Sequence, residues 1–493
     1  MQWLVLSLGD MLFLLGTSKG LDKRGHNGME NVLGKRMIDE GLVTAEQLEK
    51  ALDRQKSKGG RLGESLVALG LIKEEKLATF FKNIPREPKN LEETGLDPGF
   101  ISDLAMKHIY FMGSFTLKDL SEAVKLPILI MDQTVQSLRK DKMCEVKGGS
   151  GYEATTYQFS ITELGRKRAQ EALDMCNYIG PAPVTLADYT KQMEYQSVKS
   201  VLVNEGVIKK AFSHLIISGT LIDQLGPAVN SGKSIFLYGP PGNGKTAIAE
   251  AIGSLLPGDV CIPHAVIIDR QVIKVFDPIN HKPIPEEIHG DTRWVRCKRP
   301  ILMVGGELTL KMLDLDFDEV FKFYEAPLQM KANGGIFIID DFGRQMVRPI
   351  DLLNRWIVPL ERGTDFLTLH TGKKFEVPFD EIIIFSTNIE PRQLVDEAFL
   401  RRIRYKIKID HPPVEEYRQI FLRVAAQKGL ELRHDVLDYL LKEYYEKTGV
   451  KLNACHPRDI IDQIIDIARY RETPPVMTKE VIDGAWANYF VEL

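Results

Sequence analysis

The sequence predicts an α/β fold, a parallel sheet with a small helical lid, preceded by two small domains, one an all-α repeat and one winged-helix-like. Three observations carry this expectation. Residues 234–238 form a short apolar run that leads into a glycine-rich loop and then a helical stretch over 247–255. Two further apolar runs, 334–341 and 382–388, end in polar residues, as strands of a doubly covered parallel sheet do at their functional edge. After Pro412 and Pro413 the pattern is helical over roughly 414–428, 435–447, 457–470 and 478–490.

Composition agrees with a soluble globular chain. The 493 residues correspond to roughly two to four domains. There are 64 Lys and Arg against 68 Asp and Glu, a net charge of −4, with 44% hydrophobic and 27% charged residues. That balance argues against a disordered, fibrous or many-span membrane protein, and it offers no basic excess for bulk nucleic-acid binding. Five scattered cysteines without a CxxC pair point to a reducing compartment, with neither a disulfide framework nor a cysteine zinc site. Residues 1–28 open with an apolar-rich stretch, 1–16, that is interrupted by Asp10 and has no basic start, so they fit neither a secretory signal nor a membrane span. They are expected to be a flexible or mis-assigned start, and the protein is expected to be cytoplasmic.

Residues 29–90 contain an internal repeat. Leu33-Gly34, Ile38, Gly41, Leu42, Glu46, Leu48 and Leu52 recur as Leu62-Gly63, Val67, Gly70, Leu71, Glu75, Leu77 and Phe81, each pair offset by 29 residues. Each unit reads as a short helix, a Gly-Leu turn and an amphipathic helix, the first capped near Thr44. The pattern resembles the N-terminal domain of type II secretion and type IV pilus assembly ATPases. In one branch of that family two such motifs bind cyclic di-GMP, through an opening Arg and a closing Gln. Here Gln55 and Arg61 match, whereas Val32 and Ile84 replace the other Arg and Gln. A valine cannot supply the forked donor of an arginine, so a docking domain without nucleotide stands beside cyclic di-GMP binding.

Residues 91–180 follow a Pro- and Gly-rich boundary and read as three helices (101–111, 116–126, 128–140), a hairpin within 146–161 and a helix from Thr162. That is a winged-helix-like arrangement, a relative of the helix-turn-helix. Residues 97–175 carry 10 basic and 11 acidic side chains. DNA is therefore not expected as a partner, and protein docking is the expected use. A linker over 181–204 leads to the α/β core at 205–411 and the lid at 412–493.

The chemistry is concentrated in that core. Gly239, Pro240, Pro241, Gly242, Asn243, Gly244, Lys245 and Thr246 form GxxxxGK[ST] between a strand and a helix, the context that gives the motif its meaning. Such a loop turns backbone N–H groups toward a phosphate, and the helix N-terminus adds its dipole. Lys245 is placed to reach the β- and γ-phosphates, and the Thr246 hydroxyl to ligate Mg²⁺. The run 334–341 ends in Asp340, suited to hold Mg²⁺ through water, and Asp341, suited to polarise the attacking water. The run 382–388 ends in Asn388, an amide able to orient that water.

Together these residues resemble a AAA+ ATPase, a P-loop NTPase, over about residues 205–493. The resemblance implies ATP and Mg²⁺ as cofactors, Walker A at Gly239–Thr246, Walker B at Asp340-Asp341 and sensor 1 at Asn388. It also implies an arginine finger at Arg401 or Arg402, acting on a neighbouring subunit's nucleotide, and sensor 2 at Arg458. The second Walker B acid of the family is usually Glu. Asp341 is one methylene shorter, which opens slow hydrolysis or a switch-like role. Lys245 and Asp340 are also far apart in sequence, so an insertion is expected between Val266 and Gln329, with added strands over 265–276 and 294–304. His281, His289 and Asp291 in that stretch match no standard metal spacing, and the histidines read as surface loop residues.

The leading functional expectation is an ATP-hydrolysing remodelling enzyme. It is a homo-oligomeric ring, hexameric by resemblance, recruited to a protein client or a secretion or pilus component by its N-terminal modules. The alternatives are a secretion or pilus assembly motor, whose RecA-like signatures are missing, and a nucleotide-gated regulator binding DNA through the winged helix.

Overall fold

The computed structural model describes residues 34, 37–38, 41–58, 62–73, 76–77, 84–149, 157–285, 290–394 and 397–490. Residues 1–28, Val32, Arg61 and His289 lie outside them.

The duplicated Gly-Leu turns fold alike. In the first copy Gly41 N donates to Ile38 O at 2.9 Å and Leu42 N to Met37 O at 2.8 Å. In the second, Gly70 N donates to Val67 O at 2.9 Å and Leu71 N to Leu66 O at 3.0 Å. These bonds satisfy carbonyls left over at a helix end. Thr44 and Gln47 then cap helix Ala45–Lys58 reciprocally, backbone to side chain in both directions. Met37, Leu48, Leu62, Leu66, Ile72 and Leu77 make the shared core.

The next module has helices Pro98–Met112, Leu117–Val124 and Ile128–Lys140, then strands Cys144–Gly149 and Tyr157–Ile161 and a helix Glu163–Met175. The two strands pair antiparallel, and the short strand Ser114–Phe115 joins the other edge of Tyr157–Ile161. Asp97, Thr116 and Thr162 each cap the helix that follows them, Thr116 with Asp119 in a capping box. Each such cap stabilises its helix by about 1 kcal/mol.

Residues 181–204 are not a spacer. Val184–Thr185 is the edge strand of a second five-stranded sheet otherwise supplied by residues 265–325, and helix Leu186–Tyr195 buries Tyr189 and Met193 against that sheet. The core of the preceding module also includes Ala265 and Val272 from this second sheet, so the module is packed onto the insertion. The strands expected over 294–304 go to two different sheets. Trp294–Lys298 pairs antiparallel with Asp259–Pro263, and Ile301–Val304 belongs to the central sheet. They part at Arg299-Pro300, where proline has no N–H to continue a ladder.

The central sheet has five parallel strands: β1 (Ile235–Tyr238), β2 (Ile301–Val304), β3 (Ile336–Ile339), β4 (Ile382–Thr387) and β5 (Tyr405–Lys408), in the order β2-β3-β4-β1-β5. Alternation along the strands sorts residues to two faces. Ile235, Leu237, Ile336, Ile338, Ile382 and Ile384 meet the aliphatic side of helices Gly219–Asn230 and Lys245–Leu255. Phe236, Phe337, Phe385 and Phe342 meet Trp356 of helix Pro349–Arg362 on the other face. Burial on both faces is why the strands read as unbroken apolar runs.

The lid consists of helices Val414–Lys428, His434–Tyr439, His456–Tyr470 and Lys479–Tyr489 around one core. The second was expected to run to 447; instead it continues as a π-helical stretch, Leu440–Glu446. No helix among the described residues is long and apolar enough to cross a membrane.

Candidate nucleotide site

The candidate residues converge on the C-terminal edge of the central sheet, where open α/β sheets place their ligands. β1 ends at Tyr238, and the loop 239–244 carries the chain into helix Lys245–Leu255. Gly242 has φ +76°, and a Cβ there would stand 2.5 Å from Cys455 Sγ. Only glycine tolerates both constraints. Lys245 is 8% exposed. Its ammonium donates to Gly239 O at 3.0 Å and Pro240 O at 2.9 Å, which folds the loop around its own cation. Burial pushes this ammonium below the ordinary lysine range, while Asp340 and Asp341 pull the other way.

Strand register builds the acidic half. Ile339 on β3 is paired with Phe385 on β4, so the next residues, Asp340 and Ser386, are neighbours. Ser386 Oγ donates to Asp340 Oδ1 at 2.7 Å, and Thr246 Oγ1 donates to Asp340 Oδ2 at 2.8 Å. Asp341 N also donates to Asp340 Oδ1, at 3.1 Å. Asp341 itself is exposed and left-handed, φ +48°, a conformation costing a non-glycine residue roughly 1–2 kcal/mol. Asn388 follows the β4 end, and because Thr387 is paired with Tyr238 it lies one step on from the loop.

The lid closes on the loop directly. Cys455 N donates to Gly242 O at 2.8 Å and Ala454 N to Asn243 Oδ1 at 3.0 Å. Asn243 Nδ2 is buried and has no hydrogen-bond partner. An unpaired buried donor at the loop tip, beside Lys245, suits an anionic phosphate ligand. The Thr246–Asp340 oxygen pair suits a hard divalent cation such as Mg²⁺. The residues present therefore fit Mg²⁺-nucleotide.

The arginines are less uniform. Arg402 is committed within its own chain, with Nε 2.6 Å from Glu361 Oε1 on helix Pro349–Arg362. Arg401 is exposed, and no ion pair of its guanidinium is seen among the described residues. Arg458 stands in the first turn of helix His456–Tyr470, exposed, with Nε 3.2 Å from Asp459 Oδ1; it is Ala454 and Cys455, not Arg458, that touch the loop. Sequence reasoning missed Ser386, whose only signal is its register opposite Asp340, and the 453–455 segment, which carries no local signal at all.

Two of the three residues weighed for a metal, His281 and Asp291, prove structural. His281 is fully buried, not on the surface: its Nδ1 accepts from Asp277 N at 2.9 Å and its Nε2 is 2.8 Å from Lys331 O, so both nitrogens are used. Asp291 is buried in a bidentate pair with Arg293. No group of metal-ligating side chains occurs among the described residues.

Spastin from Drosophila grimshawi is 23% identical over 308 residues, 62% of this chain and 32% of spastin. The vesicular-fusion protein SEC18 from Saccharomyces cerevisiae is 26% identical over 228 residues, 46% of this chain and 25% of SEC18. Both are AAA+ ATPases. Over these stretches the chain is similar to AAA+ ATPases. A type IV pilus assembly ATPase, PilB from Myxococcus xanthus, is 34% identical over 86 residues, 16% of this chain and 15% of PilB. The chain spans about a third or less of the length of these curated AAA+ relatives. Residues 413–488, which include the lid helices, match a family described as "Domain of unknown function (DUF8689)".

Proposed function

We propose that this chain is an ATP-hydrolysing remodelling enzyme that works as a homo-oligomeric ring, hexameric by analogy with its AAA+ relatives, recruited to a protein partner by its N-terminal modules. The observation that carries the catalytic part is the Thr246–Asp340–Ser386 hydrogen-bonded set beside Lys245 at the sheet edge. Bound Mg²⁺-ATP supplies the γ-phosphoryl group for transfer to water, with the metal neutralising charge. Lys245 and the loop N–H groups bind the phosphates, and Thr246 and Asp340 hold the metal, with Ser386 fixing the Asp340 carboxylate. Asp341 takes the proton of the attacking water, and Asn388 orients that water. Asp341→Asn should keep nucleotide binding and lose turnover by about 10²-fold or more, the usual weight of a positioned base. Equal hydrolysis by the variant would remove Asp341 from this role.

Within the arginine pair, the engagement of Arg402 with Glu361 favours Arg401 as the residue offered to the neighbouring subunit. Arg458 remains the sensor for the γ-phosphate in its own subunit. Arg401→Ala should bind ATP normally and hydrolyse it on the order of 10³-fold more slowly, as expected for an arginine supplied in trans. Mixing it with Lys245→Ala should restore part of the activity, since a mixed interface pairs an intact loop with an intact arginine. A protein that stays monomeric with ATP, at constant specific activity across concentrations, would end the shared-site reading.

The partner reading rests on the repeat domain. Its duplicated turns and the similarity to a pilus assembly ATPase favour a secretion or pilus component as the client, in the cytoplasm. The 97–175 module, winged-helix-like and close to neutral, serves protein docking rather than DNA.

A further inference from the structure

Gln345 commits its whole side-chain amide to the backbone around Asp341. Its Oε1 accepts from Gly343 N at 2.8 Å, and its Nε2 donates to Asp340 O at 2.9 Å and to Asp341 O at 3.2 Å. The turn it spans is unusual on two counts: Asp341 has φ +48° and Gly343 φ +104°. On the sheet side the turn is fixed by Phe342, which is 1% exposed, donates from N to Ser386 O at 2.7 Å and accepts at O from Thr387 Oγ1 at 2.7 Å. On the solvent side Arg344 N reaches Asp341 O at 3.0 Å, and the three bonds of Gln345 do the rest. A non-glycine residue stays left-handed only where its surroundings over-determine it. Asp341 is exposed, so without Gln345 water would compete with the one remaining bond from Arg344 N and let the residue relax to a right-handed conformation. That change would swing the carboxylate away from its present direction.

We propose that Gln345 is a positioning residue for ATP hydrolysis, holding the left-handed Asp341 turn so that the short aspartate carboxylate points at the water. The proposal rests on the reading of Asp341 as the proton acceptor. It also gives the shorter acid a device: a side chain one methylene short depends more on how its backbone is aimed, because misplacement on the order of 1 Å can cost about 10²-fold in rate. Ser386 and Thr387 anchor Phe342 in the variant and wild type alike, so the loss is confined to the aim of residue 341.

The test uses the full chain. Gln345→Met keeps the length of the side chain and removes all three bonds. It should lower kcat for ATP about tenfold or more, leave the KM for ATP within about twofold, and leave the melting temperature within a few degrees. If that variant unfolds, Gln345→Glu repeats the measurement, since it keeps only the acceptor toward Gly343 N. The double variant Asp341→Asn/Gln345→Met should be no slower than Asp341→Asn alone, because Gln345 acts through Asp341. An unchanged kcat in Gln345→Met, or full additivity of the two losses, overturns the role of Gln345. Full turnover in Asp341→Asn by itself overturns the reading of Asp341 instead, so the two failures are told apart.

Discussion

Lys245→Ala is expected to abolish ATP binding in any practical concentration range. The ammonium is the main cation of the loop and sits at the start of helix Lys245–Leu255, on the carbonyls of Gly239 and Pro240. Charge-assisted hydrogen bonds are each worth roughly 1.5–3 kcal/mol. Losing two to phosphate oxygens therefore weakens binding by about 10²-fold or more. The truncation has a second cost, since Gly239 O and Pro240 O lose their donor and the loop no longer closes on itself. Calorimetry or fluorescent-nucleotide titration measures the loss directly. A dissociation constant within about threefold of wild type would show that the loop is not the phosphate site. Lys245→Ala on its own should also lose any ATP-dependent self-assembly.

Arg293→Ala should produce the largest loss of stability. Arg293 and Asp291 are 3% and 2% exposed, and the guanidinium pairs with both carboxylate oxygens, Nε with Oδ1 and Nη2 with Oδ2. Its Nη1 also reaches Thr94 O at 3.2 Å and Pro183 O at 3.3 Å, while Asp291 N donates to Pro85 O at 3.0 Å. One buried ion pair thus ties the insertion to the chain entering the second module and to the chain leaving it. Truncating the arginine leaves a buried carboxylate without its counter-charge, held only by the backbone N–H of residue 293, and takes the donor from two buried carbonyls, a cost of about 3–5 kcal/mol. Thermal or denaturant unfolding should show it, together with new proteolytic cleavage near residues 85–95. Replacing both partners together, Asp291→Leu with Arg293→Met, should recover much of the loss, since no charge is then stranded. A melting temperature unchanged in Arg293→Ala would mean that the pair does not join the modules.

The insertion is where reading the chain and folding it part company. The 29-residue repeat, the glycine-rich loop and the three apolar runs are local patterns whose meaning depends on residues a few positions apart, so they are legible in order. The assignments of Trp294–Lys298 and Ile301–Val304 to two different sheets are not, because both segments are apolar and the break between them is a single Arg299-Pro300 step. His281 shows the same limit. Its surroundings in sequence are polar and loop-like, yet Asp277 N and Lys331 O bury it completely.

The sequence by itself determined the parallel strands, their helical lid and the identity of Lys245, Thr246, Asp340, Asp341 and Asn388 as site candidates. It could do so because glycine spacing, hydrophobic period and strand-end polarity are properties of neighbouring residues. Only the tertiary structure decided that Ser386 holds Asp340, that Ala454 and Cys455 close on the loop, that Arg402 is spent on Glu361 while Arg401 is exposed, and that residues 181–204 add an edge strand to the second sheet. Each of these joins segments tens to hundreds of residues apart. Register between parallel strands and the docking of a lid are set by how whole elements pack, and no short-range pattern in the chain encodes them.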